Sequence, residues 1–544
     1  MRSVLGSRAR HAVTLATIVC SVSAFAALPA PAATDTARST ATPETASSQR
    51  SSPSAPDSPS APDDPFFHYD RRAEHAVTSE DVRVPVRDGS EIACQLYRPD
   101  ADGRFPGIVY EYTAYADNAA EFGRSASYFA ARGYTALVCQ ARGSGTSPGR
   151  LDPFSPQEQR DNYDVIEWLA GQPWSTGDIG QMGVSYGGHS SLLAAANRPP
   201  HLRAIIPMNG LDDWYSNTIY RGGIYSPRIR DWQEETAPET LRTYARHPQY
   251  DEFWRGRSVR ARPNAITVPT LAINGWYDRY RDGMVRNFQA RPDLTWLVSG
   301  PWEHGYPEGQ QAGFGSGAYL AWWDHWLRHD STAPLPAAKV TSYEIPAATS
   351  TASAGWGGYD TWPPARTDDV RVSLRADGGL GRGAGAPGPR RYAVNTRPQP
   401  PAPDEQVVYR TGPLRRDVVL AGSIEARIKA SFPGRDGAIA VEVSDIAPDG
   451  TATRVTAGWL KASHRLGDER AVPVRPGKTY TLPVHVWPTH YRLAEGHRLQ
   501  IRVSSDDHPE IESSAPAGEV TVASGAGGSW ASLPVLPPAQ DSSS

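Results

Sequence analysis

Hydrophobic residues follow two different spacings along the chain, and each spacing predicts a different kind of structure. From Phe66 onward, short apolar runs typical of buried strands, such as 105–112 (FPGIVYEY), alternate with amphipathic segments of helical period, such as 162–170 (NYDVIEWLA). Strands that alternate with helices indicate a mainly parallel sheet covered by helices on both faces. The pattern therefore predicts an α/β domain over 66–332.

Apolar and polar residues alternate one by one in the C-terminal part of the chain. The alternating runs are 371–374, 418–430, 438–446, 479–486 and 498–504. Turns rich in Gly, Asp and Pro separate them, for example at 433–437 (PGRDG). Short alternating strands joined by such turns are typical of a β-sandwich. We therefore predict an all-β sandwich over 333–538, followed by a tail at 539–544.

The N-terminal 65 residues have no pattern of a packed core. Residues 1–33 combine arginines, an uncharged apolar core and small residues, which is typical of a secretory signal peptide. Lipid attachment at Cys20 is not expected, because Val19 is bulkier than a lipobox tolerates. Residues 34–65 are rich in Ser, Pro and Ala and predict a disordered linker. The chain is therefore expected to be secreted, with no membrane span after the signal is removed.

Composition narrows the possible partners. Lys and Arg number 55 and Asp and Glu 59, a net charge of −4, which does not favour nucleic acid as a partner. We find no HExxH motif, so no metal site is predicted. Removal of the signal leaves Cys94 and Cys139 as the two thiols. An exported chain could pair them, but each lies in an apolar strand-like run, and we expect two separate buried thiols.

The segment 183–187 (GVSYG) matches the pattern G-x-S-x-G, which places a serine on a sharp turn between a strand and a helix. It stands between an apolar run at 178–184 and a small-residue helix predicted over 186–197. The flanking residues must be small because the turn brings the two elements close together. The helix N-terminus would also stabilise a negative oxygen beside the serine. The pattern predicts Ser185 as a nucleophile.

A serine nucleophile requires a histidine base and an acid that orients it, and in such sheets the order is serine, acid, histidine. Predicted strands at 270–274 and 295–299 are followed by GWYD and by GPWEHG. These positions place Asp278 and His304 at the carboxyl edge of the sheet, where α/β proteins carry their sites. Asp278 could alternatively cap the helix that follows it.

Several ordered motifs resemble the cocaine-esterase and X-Pro dipeptidyl-peptidase family of serine hydrolases. They are GVSYGG (183–188), GWYD (275–278), GPWEHG (300–305) and the segments 166–188 and 250–258. The resemblance covers about 66–535. It implies an α/β-hydrolase core with a helical cap and a C-terminal jelly-roll domain.

The resemblance also implies a role for each matching residue. Ser185 is implied as the nucleophile, His304 as the base and Asp278 as the orienting acid. The oxyanion hole of the family corresponds here to the backbone N–H of Tyr186 and the hydroxyl of Tyr115. Tyr115 could alternatively be a packing residue.

The cap is expected at about 209–262, which is short for the family. Its aromatic residues would line the pocket or pack the cap: Trp214, Tyr215, Tyr220, Tyr225 and Trp232. The predicted substrate pocket consists of Trp276, Tyr277, Trp302, Asp213 and Trp214. The sequence also departs from the family at Gln140, two residues before Arg142 and Gly143, where the family usually has an aspartate. Without that aspartate, an ion pair at this position is in question.

The motifs and the resemblance predict an exported serine hydrolase that cleaves an ester, an amide or a short peptide without a metal or an organic cofactor. The alternatives are an X-Pro dipeptidyl-peptidase, an α-amino-acid ester hydrolase, and a non-catalytic cell-surface binding protein on a degenerate hydrolase core.

The residues after Asp278 bear on the substrate. Amino-ester hydrolases of the family carry acidic residues there, whereas this chain has Arg279, Tyr280 and Arg281. These residues would repel an ammonium group, so we predict a preference for acyl esters without a free amine. The acidic pair 212–213 could still supply a carboxylate, but helix capping is the interpretation that we favour.

Overall fold

The computed structural model describes residues 61–115, 119–348, 355–512 and 515–538. All of them belong to one compact unit, Ser58–Ser544. The predicted signal peptide, residues 34–60 of the predicted linker and the tail at 539–544 lie outside the described residues. Among the helices of the described part, none is long and apolar enough to cross a membrane.

The first part of the described chain alternates strands with helices. Its strands are β1 (Val77–Pro85), β2 (Glu91–Pro99), β3 (Phe105–Thr113), β4 (Thr135–Gln140), β5 (Ser175–Val184), β6 (Leu202–Met208), β7 (Tyr220–Arg221), β8 (Ile224–Tyr225), β9 (Thr270–Gly275), β10 (Thr295–Gly300), β11 (Val340–Tyr343) and β12 (Trp356–Tyr359). Its helices are α1 (Ala119–Ala130), α2 (Pro156–Ala170), α3 (Tyr186–Asn197), α4 (Arg230–Thr236), α5 (Glu239–Ala245), α6 (Glu252–Arg255), α7 (Arg281–Ala290) and α8 (Ser316–Leu327).

Ten of these strands form one sheet in the order β1-β2-β4-β3-β5-β6-β9-β10-β11-β12. The seven strands from β4 to β11 in that order run parallel, and the remaining strands pair antiparallel at the two edges. Helices α1 and α8 pack on one face, while α2, α3 and α7 pack on the other. The prediction of an α/β sheet covered on both faces is confirmed.

Local sequence explains how the elements around the site begin and pack. Helix α2 starts after Ser155, whose hydroxyl accepts the Glu158 N–H at 3.2 Å, and Pro156 fits the first turn, where no backbone donor is required. Helix α3 lies very close to β6, since a Cβ on Gly188 would stand 2.3 Å from the Met208 carbonyl oxygen. The small residues of α3 therefore allow the close approach that a strand–helix turn requires.

The predicted cap at 209–262 consists of short elements rather than long helices. A five-residue π-helix, Tyr215–Ile219, leads into the β7–β8 hairpin, and α4, α5 and α6 follow. These elements place Trp214 and Trp232 in contact, with ring centroids 6.0 Å apart.

The C-terminal part is all-β, as predicted. Its strands are β13 (Asp368–Leu374), β14 (Leu380–Gly381), β15 (Gly388–Ala393), β16 (Gln406–Arg410), β17 (Val418–Ser431), β18 (Ala438–Ile446), β19 (Ala452–Lys461), β20 (Tyr480–Leu493), β21 (Arg498–Ser504), β22 (Glu519–Ser524) and β23 (Trp530–Leu536). They form a seven-stranded and a four-stranded sheet. Strands β11 and β12 lie within 333–538, but β11 pairs with β10 and β12 with β11, so both extend the central sheet. These two strands belong to the central sheet because β11 pairs with β10, and the four residues of each strand do not show in the sequence which strand will be its neighbour.

Cys94 and Cys139 form a disulfide, so the prediction of two separate thiols is wrong. The two residues face each other on the antiparallel neighbours β2 and β4, with Cα atoms 4.0 Å apart. They are 45 residues apart in the chain, and the pairing of β2 with β4 skips β3. The hydrophobic pattern of each strand shows that it is buried but does not show which strand lies beside it.

Candidate active site

Ser185 occupies the turn between β5 and α3. Its backbone has φ 60° and ψ −110°, a conformation that non-glycine residues rarely adopt and that is typical of strained functional turns. Its N–H donates to the Met208 carbonyl at 2.9 Å, which ties the turn to β6. A Cβ on Gly187 would lie 1.8 Å from Glu111 Oε2, so a larger residue there would displace the Glu111 carboxyl group. The predicted nucleophile therefore stands on a strained and closely packed turn.

Asp278 and His304 meet at the carboxyl ends of β9 and β10. Asp278 is fully buried, and its Oδ2 lies 2.5 Å from His304 Nδ1. Its Oδ1 accepts the Tyr280 N–H at 2.6 Å, but α7 begins only at Arg281 and has Tyr280 as its N-cap residue. Because Nδ1 of His304 faces the carboxylate, Nε2 is the ring nitrogen left for proton transfer.

A cavity of about 170 Å³ brings Ser185 and His304 together. The cap supplies one wall, and the segment after β9 supplies another. The other lining residues are Tyr115, Phe154, Tyr186, Leu211, Trp214, Arg228, Ile229, Trp232, Arg279 and Tyr280. The lining is mostly aromatic and aliphatic, and its permanently charged side chains are two arginines, Arg228 and Arg279.

Tyr115 lies in this cavity beside the turn that carries Ser185. Burial raises the pKa of Tyr115 to about 12, although a hydrogen bond from Ser185 opposes the rise, so the phenol keeps its proton at neutral pH. The ring packs edge-on against Tyr186 with centroids 5.9 Å apart. The Tyr186 hydroxyl donates to Glu158 at 2.7 Å. The group of Tyr186 that remains to donate to an oxyanion is its backbone N–H, at the start of α3.

Three of the predicted pocket aromatics lie outside the cavity lining. The Trp276 indole donates to Ser342 and its ring packs on Trp362 at 5.2 Å. The Trp302 indole donates to the Gln311 carbonyl at 2.8 Å. Tyr277 is 50% exposed. Successive residues after a strand point in different directions. A ring next to Asp278 or His304 in the sequence therefore does not have to enter the pocket.

Asp213 also lies outside the lining, whereas its neighbour Trp214 belongs to it. The Asp213 carboxylate is buried and accepts hydrogen bonds from the Tyr215 N–H at 3.0 Å and the Ser258 hydroxyl at 2.7 Å. It also pairs with Arg260 at 3.0 Å. These partners all belong to the cap.

The two arginines after Asp278 take different directions. Arg279 lines the cavity, as does Tyr280. Arg281 instead points to the β-sandwich, where its guanidinium donates to the Pro488 carbonyl at 2.9 Å and to the Thr456 hydroxyl at 3.0 Å. Only Arg279 therefore faces the cavity.

Glu111 on β3 is a site residue that the sequence analysis missed. Its Oε1 accepts hydrogen bonds from the Val184 N–H at 2.8 Å and from the Tyr306 hydroxyl at 2.7 Å. Val184 precedes Ser185, and Tyr306 follows His304 by two residues, so one carboxyl group joins the two loops. Burial raises the pKa of Glu111 to about 8. A lone acidic residue inside the apolar run 105–112 was the available signal.

The departure at Gln140 leaves Arg142 with other partners. Arg142 pairs with Asp161 at 2.6 Å and with Asp88 at 2.9 Å. The Gln140 side chain accepts the Thr146 N–H at 2.7 Å. Within the described ranges, no group of three or more His, Cys, Asp or Glu side chains could hold a metal ion.

A parallel sheet with a serine at a strand–helix turn and a facing histidine–aspartate pair defines a serine hydrolase of the α/β-hydrolase class. Two family models match the chain. X-Pro dipeptidyl-peptidase (S15 family) matches residues 88–240 and 225–306, and the X-Pro dipeptidyl-peptidase C-terminal non-catalytic domain matches 336–534. The chain belongs to the cocaine-esterase and X-Pro dipeptidyl-peptidase family of serine hydrolases.

Individual proteins are also similar to this chain. The chain is 24% identical to the cocaine esterase of Rhodococcus sp. (strain MB1 Bresler), over 81% of this chain and 93% of that protein. A CocE/NonD family hydrolase from Staphylococcus aureus has a similar structure, with a TM-score of 0.73, 18% identity and coverage of 85% of this chain and 97% of that one. An aminopeptidase from a marine sediment archaeon, Thaumarchaeota archaeon, also reaches a TM-score of 0.73, with 20% identity and coverage of 86% and 98%.

Proposed function

We propose that this protein is an exported serine esterase that cleaves acyl esters through a covalent acyl-enzyme. One observation carries the proposal: the cavity that contains Ser185 also contains His304, whose other ring nitrogen lies 2.5 Å from the buried Asp278 carboxylate. A hydroxyl on a strained turn and a carboxylate-oriented imidazole are the parts that nucleophilic acyl transfer requires.

In the proposed mechanism, Nε2 of His304 takes the proton from the Ser185 hydroxyl as its oxygen attacks the substrate carbonyl. Asp278 holds the imidazole in the required tautomer and stabilises its positive charge. The Tyr186 N–H and the Tyr115 hydroxyl donate to the oxyanion. His304 then gives the proton to the leaving alcohol, and a water molecule releases the acyl group by the same steps.

The charge of the cavity favours acyl esters over α-amino esters and X-Pro amides. A buried ammonium group requires a carboxylate partner, and the cavity lining contains none. The nearby carboxylate of Asp213 is engaged by Arg260 and by hydrogen bonds within the cap. Arg228 and Arg279 in the lining would repel an ammonium group.

Labelling with a fluorophosphonate, together with assays of chromogenic esters, tests the proposal. Ser185→Ala should remain folded, lose labelling and lose turnover by a factor on the scale of ~10⁶. Ser190→Ala is the matched control, because Ser190 lies on α3 and its hydroxyl makes no hydrogen bond with the described residues. An unlabelled wild-type protein would instead support the non-catalytic binding protein. A preference of about tenfold or more for an α-amino ester would support amino-ester or dipeptide recognition.

Export is part of the proposal and has its own support. Residues 1–33 have the pattern of a signal peptide, and the Cys94–Cys139 disulfide suits an oxidising compartment. Fractionation of cells that produce the full chain should find the protein outside the cytoplasm. Deletion of residues 2–33 should retain it inside, and an unchanged distribution would contradict export by this segment.

A further inference from the structure

The active-site cavity carries positive charge that no carboxylate in its lining compensates. Arg228 and Arg279 both line it. Arg228 has a partner outside the lining, since its guanidinium pairs with Glu510 at 2.6 Å. The Arg279 guanidinium has no ion pair and no hydrogen bond with any of the described residues. It is half-buried and lines the same cavity as Ser185 and His304.

The two carboxylates that attract Arg279 electrostatically, Asp278 and Glu510, are already engaged. Asp278 bonds to His304 and to the Tyr280 N–H. Glu510 is shared between Arg228 and the buried Arg221. Neither carboxylate forms an ion pair with Arg279, so each contributes only longer-range attraction to it.

Arg281 lies outside the cavity lining and forms no ion pair with a described residue. Its guanidinium donates to the carbonyl oxygens of Pro488 and Asp278 and to the Thr456 hydroxyl, all of them neutral acceptors. Burial lowers the pKa of Arg281 to about 10, which still leaves it protonated at neutral pH. Burial would also lower the pKa of Arg279, but the surrounding phenol and carboxylate groups, Tyr280 and Asp278 foremost, raise it above its usual value. Both side chains therefore remain cations.

The Arg279 guanidinium forms no ion pair or hydrogen bond with a described residue, so its N–H donors remain available to an anionic ligand. The planar guanidinium matches a carboxylate, which it can bind through two parallel hydrogen bonds. We infer that Arg279 binds a carboxylate of the substrate, and that the protein acts on small esters that carry a carboxylate on either the acyl or the alcohol part. This inference rests on the proposed esterase function. A cavity of about 170 Å³ admits a small group rather than a drug-sized ligand.

Matched substrate pairs test the inference. In one pair, 4-acetoxybenzoate and 4-acetoxybenzamide, the carboxylate or its neutral amide replacement lies on the leaving group. In the other, monoethyl glutarate and ethyl glutaramate, it lies on the acyl group. The measured quantity is the ratio of kcat/KM for the anionic ester to that for the neutral ester. The two esters of a pair differ in intrinsic reactivity, but this difference is the same for every variant. It therefore cancels when the ratio is compared between variants.

Three variants complete the design. Arg279→Gln removes the charge, and Arg279→Lys keeps the charge but not the planar fork. Arg416→Gln is the control, because Arg416 is an exposed arginine of the C-terminal all-β part, outside the cavity lining. Each ratio is measured at low and at high ionic strength, because salt weakens an attraction that depends on charge.

We expect wild-type protein and Arg416→Gln to prefer the anionic ester of one pair by about tenfold or more, the scale of a charge-assisted hydrogen bond. Arg279→Gln should lower that ratio at least about tenfold, and Arg279→Lys should retain part of it. The pair that shows the preference identifies the part of the substrate that carries the carboxylate. High salt should reduce the ratio in the wild type.

A ratio that is the same for wild type and Arg279→Gln in both pairs would overturn the inference. This includes an equal loss of kcat/KM for both members of a pair, since Arg279 would then act on every ester alike. If the wild type reacts with the fluorophosphonate but shows no preference, the inference fails while the esterase function stands. If it neither reacts nor cleaves either ester, the proposed function itself fails.

Discussion

Replacement of Glu111 by Gln should change how the stability of this protein depends on pH. Glu111 is buried behind the turn of Ser185, and its Oε2 has no hydrogen-bond partner among the described residues. Its Oε1 accepts from Val184 and Tyr306, and a glutamine amide oxygen can accept the same two bonds. The substitution therefore removes an ionisable group while it keeps the shape and the main contacts.

The direction and the size of this pH dependence follow from the raised pKa of Glu111. Burial raises the pKa of Glu111 from 4.5 to about 8, so between these values the folded state holds a proton that the unfolded state has lost. The free energy of unfolding therefore falls as the pH rises through this window, by about 1.4 kcal/mol per pH unit for one such group. From pH 5 to pH 8 the loss amounts to roughly 4 kcal/mol. Glu111→Gln should remove this contribution.

Urea unfolding at pH 5, 6, 7 and 8 measures the effect. The difference in free energy of unfolding between variant and wild type should change with pH in favour of the variant. The difference is the informative quantity, since Glu158, whose pKa burial also raises to about 8, contributes a similar slope to both proteins. Glu235→Gln, at an exposed residue of α4, is the control and should show no such trend. A constant difference between Glu111→Gln and wild type from pH 5 to pH 8 would refute the reasoning.

Three further predictions concern other parts of the molecule. Tyr115→Phe should lower kcat by about 10²–10³ if its hydroxyl is an oxyanion donor, with an unchanged melting temperature, whereas an unchanged kcat would make it a packing residue. Replacing Cys94 and Cys139 by Ser should lower the free energy of unfolding by about 2–4 kcal/mol, because the disulfide closes a long loop; equal urea midpoints with and without reductant would contradict this. Burial would lower the pKa of His485, but its ion pair with Asp282 raises it to about 9. The contribution of this pair to the free energy of unfolding should therefore be complete below pH 6.5 and lost as the pH rises through 9. The ring is 40% exposed and solvent screens the pair, so Asp282→Asn should remove only about 1 kcal/mol of this pH dependence, as measured by urea unfolding at pH 6 and pH 9.

Local patterns determined the class of the fold and the candidate chemistry. The 105–112 run is a buried strand and 162–170 is part of a helix, because the spacing of apolar residues reports directly which surface an element must bury. The turn at Ser185 was readable because a sharp strand–helix junction restricts which residues can flank it. Asp278 and His304 were found because each follows an apolar strand, and the carboxyl ends of parallel strands meet at one edge of a sheet.

Only the tertiary structure decided which of these groups meet, and which do not. Cys94 pairs with Cys139 because β2 and β4 are neighbours, which neither strand shows by itself. Glu111 joins the loops of Ser185 and His304, and this depends on three segments far apart in the chain. Arg279 faces the cavity while Arg281 faces the sandwich, since side-chain direction after a strand depends on the packing of distant elements. Periodicity describes the surroundings of one segment, whereas pockets, ion pairs and disulfides depend on contacts between segments that periodicity does not encode.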